Sequence, residues 1–152
     1  MIKQILLGGT VDQGQIWSYS GDANWHEAGN GDWRISYLPT SSGKFKITSM
    51  LHIRSGDGNG HSRLYNKARI VKIAPVYNSN LAINSECMFE GTPGYGDQIR
   101  FFDCSRTVVA VDDNPSIGQT NIYAVEIMAG DGLHTEISYG SPLILEFHKD
   151  TE

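Results

Sequence analysis

The sequence predicts an all-β protein, an antiparallel β-sandwich of jelly-roll-like form with about ten short strands. Its 17 glycines fall mostly in turn-forming clusters such as "SSGK", "GDGNG" and "TPGYGD". Between these clusters lie short runs rich in Val, Ile, Tyr, Phe and Thr, in which apolar and polar residues alternate. Short alternating runs bounded by Gly and Pro turns are typical of sandwiches and barrels. No window has a helical period long enough to predict a helix.

Length and charge limit what the chain can be. Its 152 residues fit a single domain with one core, and 39% apolar residues are enough to fold it. The net charge is -5 and no Lys/Arg cluster occurs, so no nucleic-acid partner is expected. No stretch approaches the ~20 apolar residues of a membrane helix, so membrane insertion is not expected. The opening "MIKQILLGG" is too short for a signal peptide, and we expect the chain to fold in a cytosol.

Strands in the first half follow from side-chain alternation. In "KFKITSMLHIR" four apolar residues are at odd-numbered positions and most polar residues at even-numbered ones, which places the two sets on opposite faces of a strand. The predicted inner face carries Phe45, Ile47, Leu51 and Ile53, and the outer face carries Lys44, Lys46, Thr48, His52 and Arg54. The stretch "HSRLYNKARIVKI" is the best helical candidate. Because its end is β-branched and runs into Pro75, a long strand is predicted instead.

Three runs in the second half predict further strands. "NIYAVEIM" places Tyr123, Val125 and Ile127 on one face. "SPLILEFHK" does the same with Leu143, Leu145 and Phe147. In "RTVVAVD" both faces carry apolar residues, so both faces are expected to be covered.

The Gly-rich stretch "HIRSGDGNGHSR", residues 52–63, is the most conspicuous motif candidate. Asp57 and Asn59 fit the first positions of an EF-hand loop, but His61 does not fit the third, and Ala68 stands where a Glu is needed. A phosphate loop requires a helix after the glycines, and strand-like sequence follows here. The stretch is therefore interpreted as a turn that joins two strands.

Catalytic and metal signatures are missing, so no enzyme, metal or cofactor is predicted. His134 and Glu136 share one strand face but supply too few ligands for zinc. Asp112 and Asp113 in "VDDNP" are interpreted as part of a turn, although carboxylate pairs drawn from distant strands stay open. The only cysteines, Cys87 and Cys104, form no CxxC pair and are interpreted as buried free thiols.

Aromatic residues are concentrated near the N-terminus. Trp17, Tyr19, Trp25 and Trp33 lie within seventeen positions of one another. Trp33 begins a strand and is predicted to pack in the core. Trp25, with His26 beside it, and the loop residue Tyr95 lie in polar, Gly-rich sequence, so a surface role is the open alternative to packing.

From Trp33 onward the order of segments resembles the C-terminal β-sandwich domains of bacteriophage tail fibres. Those domains open with an aromatic-Arg strand ending in Leu-Pro, here Trp33, Arg34, Leu38 and Pro39, followed by "SSGKFKITSMLHI". The paired strands of that family resemble "QIRFFDCSRTVVAVDDN", although Cys104-Ser105 replaces the usual Asp-Gly at the turn. The strands "IYAVEIM" and "PLILEF" complete the match. The resemblance makes residues 33–148 a fibre-tip-like sandwich, into which strands and loops of residues 1–32 lead.

The resemblance implies a non-catalytic adhesin of the virion. Such domains stand at fibre or spike tips as homotrimers and bind a host-surface receptor, commonly a polysaccharide and otherwise a protein, while other virion proteins hold them. It supplies no catalytic residue. The contact residues chosen as the candidate site are the aromatic and polar loop residues Trp25, His26, Asp57, Asn59, His61 and Tyr95.

Three alternatives stay open. The chain could be a free-standing carbohydrate-binding, lectin-like domain, which would be a monomer or dimer more often than a trimer. It could be a structural or decoration protein that binds only other viral subunits. It could also be a polysaccharide depolymerase, which would require a cleft with paired carboxylates. Because the chain starts at Met1 without a fibrous shaft, both a small separate virion protein and the tip of a longer fibre fit.

Overall fold

The computed structural model describes residues 2–7, 16–31, 33–57, 64–82, 86–91, 100–103, 105–130, 132–138 and 140–150. These residues form thirteen β-strands and one short 3-10 turn, Ala28–Gly31. The strands are β1 Ile2–Leu7, β2 Ile16–Ser20, β3 His26–Glu27, β4 Arg34–Tyr37, β5 Gly43–Leu51, β6 Ile53–Asp57, β7 Leu64–Ala74, β8 Glu86–Gly91, β9 Arg100–Asp103, β10 Arg106–Asp112, β11 Asn121–Ala129, β12 His134–Ser138 and β13 Pro142–Lys149. The predicted all-β class is confirmed.

Three antiparallel sheets make up the fold. The first has the order β1-β13-β5-β10, the second β3-β11-β7-β8 with β4 also paired to β11, and the third β2-β12-β6-β9. Among the pairs formed by the described residues, only β7 and β8 are consecutive along the chain. The chain therefore crosses repeatedly between sheets, as a β-sandwich of jelly-roll form requires.

The core receives side chains from all three sheets, and the first and second sheets face each other across it. All the apolar residues assigned to the inner face of residues 44–54 are at most 1% exposed, so the predicted alternation is confirmed. The ring of Phe45 on β5 lies 4.9 Å from that of Phe147 on β13 and 5.4 Å from that of Tyr123 on β11. These aromatic contacts join the two sheets at one end of the sandwich.

The predictions for the later strands are also confirmed. The helical candidate is the strand β7, which ends at Ala74 directly before Pro75. Val108 and Ala110 of β10 are buried, while Val109 and Val111 on its other face are half-buried. Trp33 is fully buried, and its indole N–H donates to the carbonyl oxygen of Ser141 at 3.0 Å.

The Gly-rich turn begins later than its sequence indicates. Gly56 and Asp57 are still in β6, where they pair with Phe101 and Arg100 of β9. Residues 58–63 lie outside the described residues. The first part of "SGDGNGH" is therefore strand, because its backbone hydrogen bonds are taken by a neighbour that is distant in sequence.

Several strand ends meet at one end of the sandwich. In the second sheet, Tyr37 at the end of β4 pairs with Asn121 at the start of β11, next to the end of β7 at Ala74. In the first sheet, Asp112 at the end of β10 pairs with Phe45 near the start of β5. The segments 75–82 and 113–120 leave from these ends, so both lie at the same end of the molecule.

Candidate functional site

A cleft of about 400 Å³ opens between the segments 75–82 and 113–116. Its lining is mostly polar and comes from both sheets. The lining residues are Lys72, Pro75, Val76, Tyr77, Asn78, Asn80, Leu81, Ala82, Val111, Asp112, Asp113, Asn114 and Ser116. Loop-built clefts on a β-sandwich frame are common positions for binding sites.

The wall formed by residues 75–82 is fixed at both ends. Asn78 and Lys72 exchange two backbone hydrogen bonds of 2.9 Å, which fold the segment back onto the end of β7. The Val111 N–H donates to the carbonyl oxygen of Ala82 at 2.9 Å, which joins the segment to β10. Leu81 between them is buried in the core. The wall thus has a defined shape before any ligand arrives.

The opposite wall is held by the buried side chain of Asn121. Its Oδ1 accepts the N–H of Ser116 at 3.0 Å, and its Nδ2 donates to the carbonyl oxygens of Ser116 at 2.9 Å and Gln119 at 3.0 Å. One carboxamide therefore satisfies three backbone groups of the loop, which a hydroxyl or an apolar side chain could not do. The Gly118 N–H adds a hydrogen bond of 2.8 Å to the carbonyl oxygen of Pro39.

The floor of the cleft is a buried ion pair that spans the two sheets. Lys72 of β7 is 7% exposed and Asp112 of β10 is 6% exposed. The Lys72 Nζ donates to Asp112 Oδ2 at 2.7 Å, and the Tyr123 hydroxyl donates to the same oxygen at 2.7 Å. The Asn114 N–H donates to Asp112 Oδ1 at 3.2 Å. Both carboxylate oxygens are thereby engaged, which offsets the cost of burying the charge.

Burial sets the protonation of the phenol in this cluster. Removal from solvent, together with the hydrogen bond to Asp112, raises the pKa of Tyr123 well above its usual value. Tyr123 therefore remains a neutral donor throughout the physiological range. The floor is a fixed arrangement of one cation, one anion and one neutral hydroxyl.

Large apolar side chains stay exposed at the end of the sandwich where the cleft opens, and two of them, Val76 and Tyr77, line the cleft. Of the five large apolar residues exposed among the described residues, all but Met50 belong to segments at this end. They are Leu38, Val76, Tyr77 and Ile117, with Val76 74% and Tyr77 51% exposed. Apolar groups gathered at one end of a protein and bordered by polar groups mark an interaction site.

Amide groups also line the cleft. Asn78, Asn80 and Asn114 are exposed, and a carboxamide can both donate and accept hydrogen bonds. The Asn78 Oδ1 accepts the N–H of Asn80 at 2.8 Å, which leaves its NH2 group for a ligand. Asp113, also exposed, adds a carboxylate. Together with the ring of Tyr77, these groups can contact a ligand that has both an apolar face and several hydroxyls.

The residues predicted from sequence are not the ones that line this cleft. Trp25 and His26 lie together at β3 of the second sheet, where Trp25 is half-buried and His26 exposed. The His26 Nε2 is 2.8 Å from Asp22 Oδ1, and this hydrogen bond lowers the pKa of Asp22 below its usual value. Asp57 ends β6, and its side chain lies outside the described part. Asn59, His61 and Tyr95 lie wholly outside the described residues.

Sequence reasoning missed the ion pair. The interpretation of Asp112 and Asp113 as a turn is wrong for Asp112, which is the last residue of β10 and buried. The adjacent Asp113 follows the end of the strand and is exposed, as the turn interpretation predicts. The available signal was a lysine inside an apolar run, Lys72 in "RIVKIAP", since a buried lysine needs a charged partner.

Neither metal ligands nor membrane spans are found in the described ranges. No three His, Cys, Asp or Glu side chains among the described residues are grouped so that they could hold a metal ion. His134 and Glu136 contact each other at 3.2 Å on one strand face. No helix among the described residues is long and apolar enough to cross a membrane.

No protein-family model matches the chain, and no curated protein matches its sequence. Among solved structures, Eiger TNF from S. frugiperda is similar, with a TM-score of 0.50, 13% identity, and coverage of 99% of this chain and 94% of that one. A protein classed as sugar-binding from Bacteroides thetaiotaomicron has a TM-score of 0.32, 10% identity, and coverage of 90% of both chains. The enzymatically active domain of tailspike protein 4 from bacteriophage CBA120 has a TM-score of 0.29 and 9% identity, and 96% of this chain covers 19% of that one. Because the last two scores lie below 0.5, only the first similarity bears on the fold, and at 13% identity it bears on nothing else.

Proposed function

We propose that this chain is the receptor-binding tip protein of a bacteriophage tail fibre or spike, and that it binds a host-surface polysaccharide in the cleft without cleaving it. The observation that carries the proposal is the mouth of the cleft, where the half-exposed ring of Tyr77 stands among the amides of Asn78, Asn80 and Asn114. A sugar ring has an apolar face that packs on an aromatic ring and hydroxyls that pair with amides. The order of strand motifs from Trp33 onward supports the assignment to a virion.

The way the nearby carboxylates are used supports binding without cleavage. Both oxygens of Asp112 accept internal hydrogen bonds. Glu126, next to the cleft, accepts hydrogen bonds at both oxygens, from the Arg69 guanidinium at Oε1 and from the Tyr77 hydroxyl at Oε2. Glycoside hydrolysis requires two carboxyl groups that are free to act on the bond and on water. Whereas these two carboxylates are engaged, Asp113 of the cleft lining is exposed and can accept a hydrogen bond from a ligand hydroxyl.

Replacement of Tyr77 tests the cleft. We expect Tyr77→Ala to weaken binding to the recognised polysaccharide about tenfold, because an aromatic contact contributes about 1–1.5 kcal/mol. Tyr77→Phe keeps the ring and should bind nearly as well as the unchanged protein. The measurement is biolayer interferometry on immobilised capsular and O-chain polysaccharides, with Met50→Ala, an exposed residue at the opposite end of the sandwich, as control.

Each alternative gives a different result in this experiment. If Tyr77→Ala binds the polysaccharide as tightly as the unchanged protein, the binding site lies elsewhere on the surface. Loss of viscosity in the polysaccharide solution would show a depolymerase. No binding to any host polysaccharide, together with binding to other virion proteins, would show a decoration protein.

A homotrimer is part of the proposal and is supported by the outer face of the first sheet. Ile144 of β13, Thr48 of β5 and Val109 of β10 lie side by side in register, all half-buried and facing away from the core. Apolar residues such as Ile144 and Val109 on the outer face of a sheet favour association with another copy, and a trimer would also cover sheet edges. Three sites on one tip would add avidity.

Light scattering after size exclusion measures this directly. We expect a particle of three chains of 16.8 kDa each. A monomer at micromolar concentration that still binds polysaccharide would instead indicate a free-standing lectin-like domain, and would contradict the trimer.

A further inference from the structure

The outer face of the second sheet carries an aromatic ring that is held in place by a cation. Trp25 lies just before β3, and the guanidinium carbon of Arg69 on β7 is 3.9 Å from the centre of its ring. Arg69 donates to Glu126 Oε1 twice, from Nε at 2.8 Å and from Nη2 at 2.7 Å. Since the guanidinium is itself fixed by Glu126 of β11, the indole has a defined position.

This tryptophan differs from the other two in the chain. Trp33 is fully buried and Trp17 is 8% exposed, and both belong to the core. Trp25 remains half-buried and is outside the core cluster. The Arg69 guanidinium covers part of one face of the indole. The part of the Trp25 side chain that stays exposed can contact a ligand.

The same carboxylate links Trp25 to the cleft. Glu126 Oε2 accepts the hydroxyl hydrogen of Tyr77 at 2.7 Å, and Tyr77 lines the cleft. Partial burial and this hydrogen bond raise the pKa of Tyr77, so its hydroxyl stays a donor at neutral pH. A continuous row of contacts, Tyr77–Glu126–Arg69–Trp25, thus runs from the mouth of the cleft across the sheet.

The charges on the outer face of the second sheet favour a neutral ligand over a polyanion. Arg69 is paired with Glu126, Arg34 with Glu27 at 2.7 Å, and His26 with Asp22 at 2.8 Å. Both of these guanidinium groups are matched by a carboxylate, and the whole chain has a net charge of -5. A polyanion would gain no net attraction here, whereas the hydroxyls of a neutral ligand can hydrogen-bond to paired planar groups.

We propose that Trp25 forms a second sugar subsite, and that the full site takes an extended, neutral polysaccharide running from the cleft past Tyr77 to Trp25. The inference rests on the proposed polysaccharide binding and adds the length and charge of the ligand. Arg69 and Glu126 are positioning residues, since they orient the two aromatic rings. Two aromatic contacts on one chain give a longer ligand more affinity than a short one.

Fluorine NMR with 5-fluorotryptophan tests this inference. The chain has three tryptophans, so three resonances are expected, and Trp25→Phe assigns the one in question. The probes are neutral O-polysaccharide fragments of one and of four repeating units. We expect the long fragment to shift the Trp25 resonance and to bind about fivefold more weakly to Trp25→Ala. The short fragment should bind Trp25→Ala and the unchanged protein equally.

Further variants separate positioning from folding. Arg69→Lys keeps the charge but not the planar stack, and it should weaken only the long fragment. Met50→Ala is the control, and unchanged resonances of Trp17 and Trp33 show that each variant is folded.

The outcomes distinguish this inference from the function on which it rests. The long fragment could bind in a way that depends on Tyr77 without shifting the Trp25 resonance and without losing affinity for Trp25→Ala. In that case the second subsite is wrong, while the proposed binding in the cleft is retained. If a polyanionic fragment binds more tightly than the neutral one, the assigned charge class is wrong. If no fragment binds, both proposals are overturned.

Discussion

Replacing Asp112 with alanine is expected to lower the free energy of unfolding by about 3–5 kcal/mol. The change leaves the ammonium of Lys72, which is 7% exposed, buried without its carboxylate. It also removes the acceptor of the buried Tyr123 hydroxyl. A buried charge that loses its partner costs far more than the pair itself contributes, because the desolvation penalty stays while the attraction is lost. The measurement is the urea unfolding midpoint followed by tryptophan fluorescence.

The sequence provides a matched control in the next residue. Asp113→Ala removes the same carboxylate from an exposed position and should change stability by no more than about 0.5 kcal/mol. The double change Lys72→Met with Asp112→Ala removes both charges and should cost less than Asp112→Ala alone. Equal effects of Asp112→Ala and Asp113→Ala would show that the ion pair adds nothing to stability. Polysaccharide binding by the double variant then tells whether the charged floor matters for the ligand.

Phe45→Ala is expected to lower the free energy of unfolding by about 3–5 kcal/mol, because it opens a cavity between the first and second sheets. The ring contacts Phe147 at 4.9 Å, Tyr123 at 5.4 Å and Tyr37 at 5.9 Å between ring centres. Both sheets contribute to this cluster, so neighbouring side chains cannot close the space without moving a strand. Chemical denaturation gives the free energy.

The neighbouring lysine is the control for Phe45. Lys44 is on the same strand but points to the outer face and is exposed. Lys44→Ala should therefore leave stability within about 0.5 kcal/mol. Because Phe45 pairs in register with Asp112, a loosened cluster should also weaken polysaccharide binding. A Phe45→Ala variant as stable as Lys44→Ala would contradict the assignment of this ring to the core.

The two proposals depend on different parts of the second sheet. The cleft uses the end of β7 and the segment that follows it, and the second subsite uses β3 and the middle of β7. Tyr77 belongs to both, since it lines the cleft and donates to Glu126. Tyr77→Ala should therefore reduce the affinity for short and long fragments alike, whereas Trp25→Ala should reduce it for long fragments alone.

The candidate site could be predicted only in part. The sequence singled out Trp25 because a large aromatic stood among polar and Gly-rich neighbours, and this residue is half-buried at the surface. Nothing in the sequence pointed to Tyr77, because "APVY" gives no sign that the chain turns back after Pro75 and pairs Asn78 with Lys72. The asparagines of the cleft could not be predicted as site residues either, because asparagine is common in turns. Only the folded chain shows that two of its loops lie opposite each other.

The sequence by itself determined which face of each strand is buried. Phe45, Tyr123 and Phe147 alternate with polar neighbours, and a strand must place alternate side chains on opposite faces whatever it pairs with. Only the tertiary structure decided the partners. Lys72 and Asp112 are 40 residues apart and meet because β7 of the second sheet and β10 of the first sheet end together at one end of the sandwich. Alternation is a property of one strand, whereas a cleft or a buried ion pair depends on which strands become neighbours and in which register.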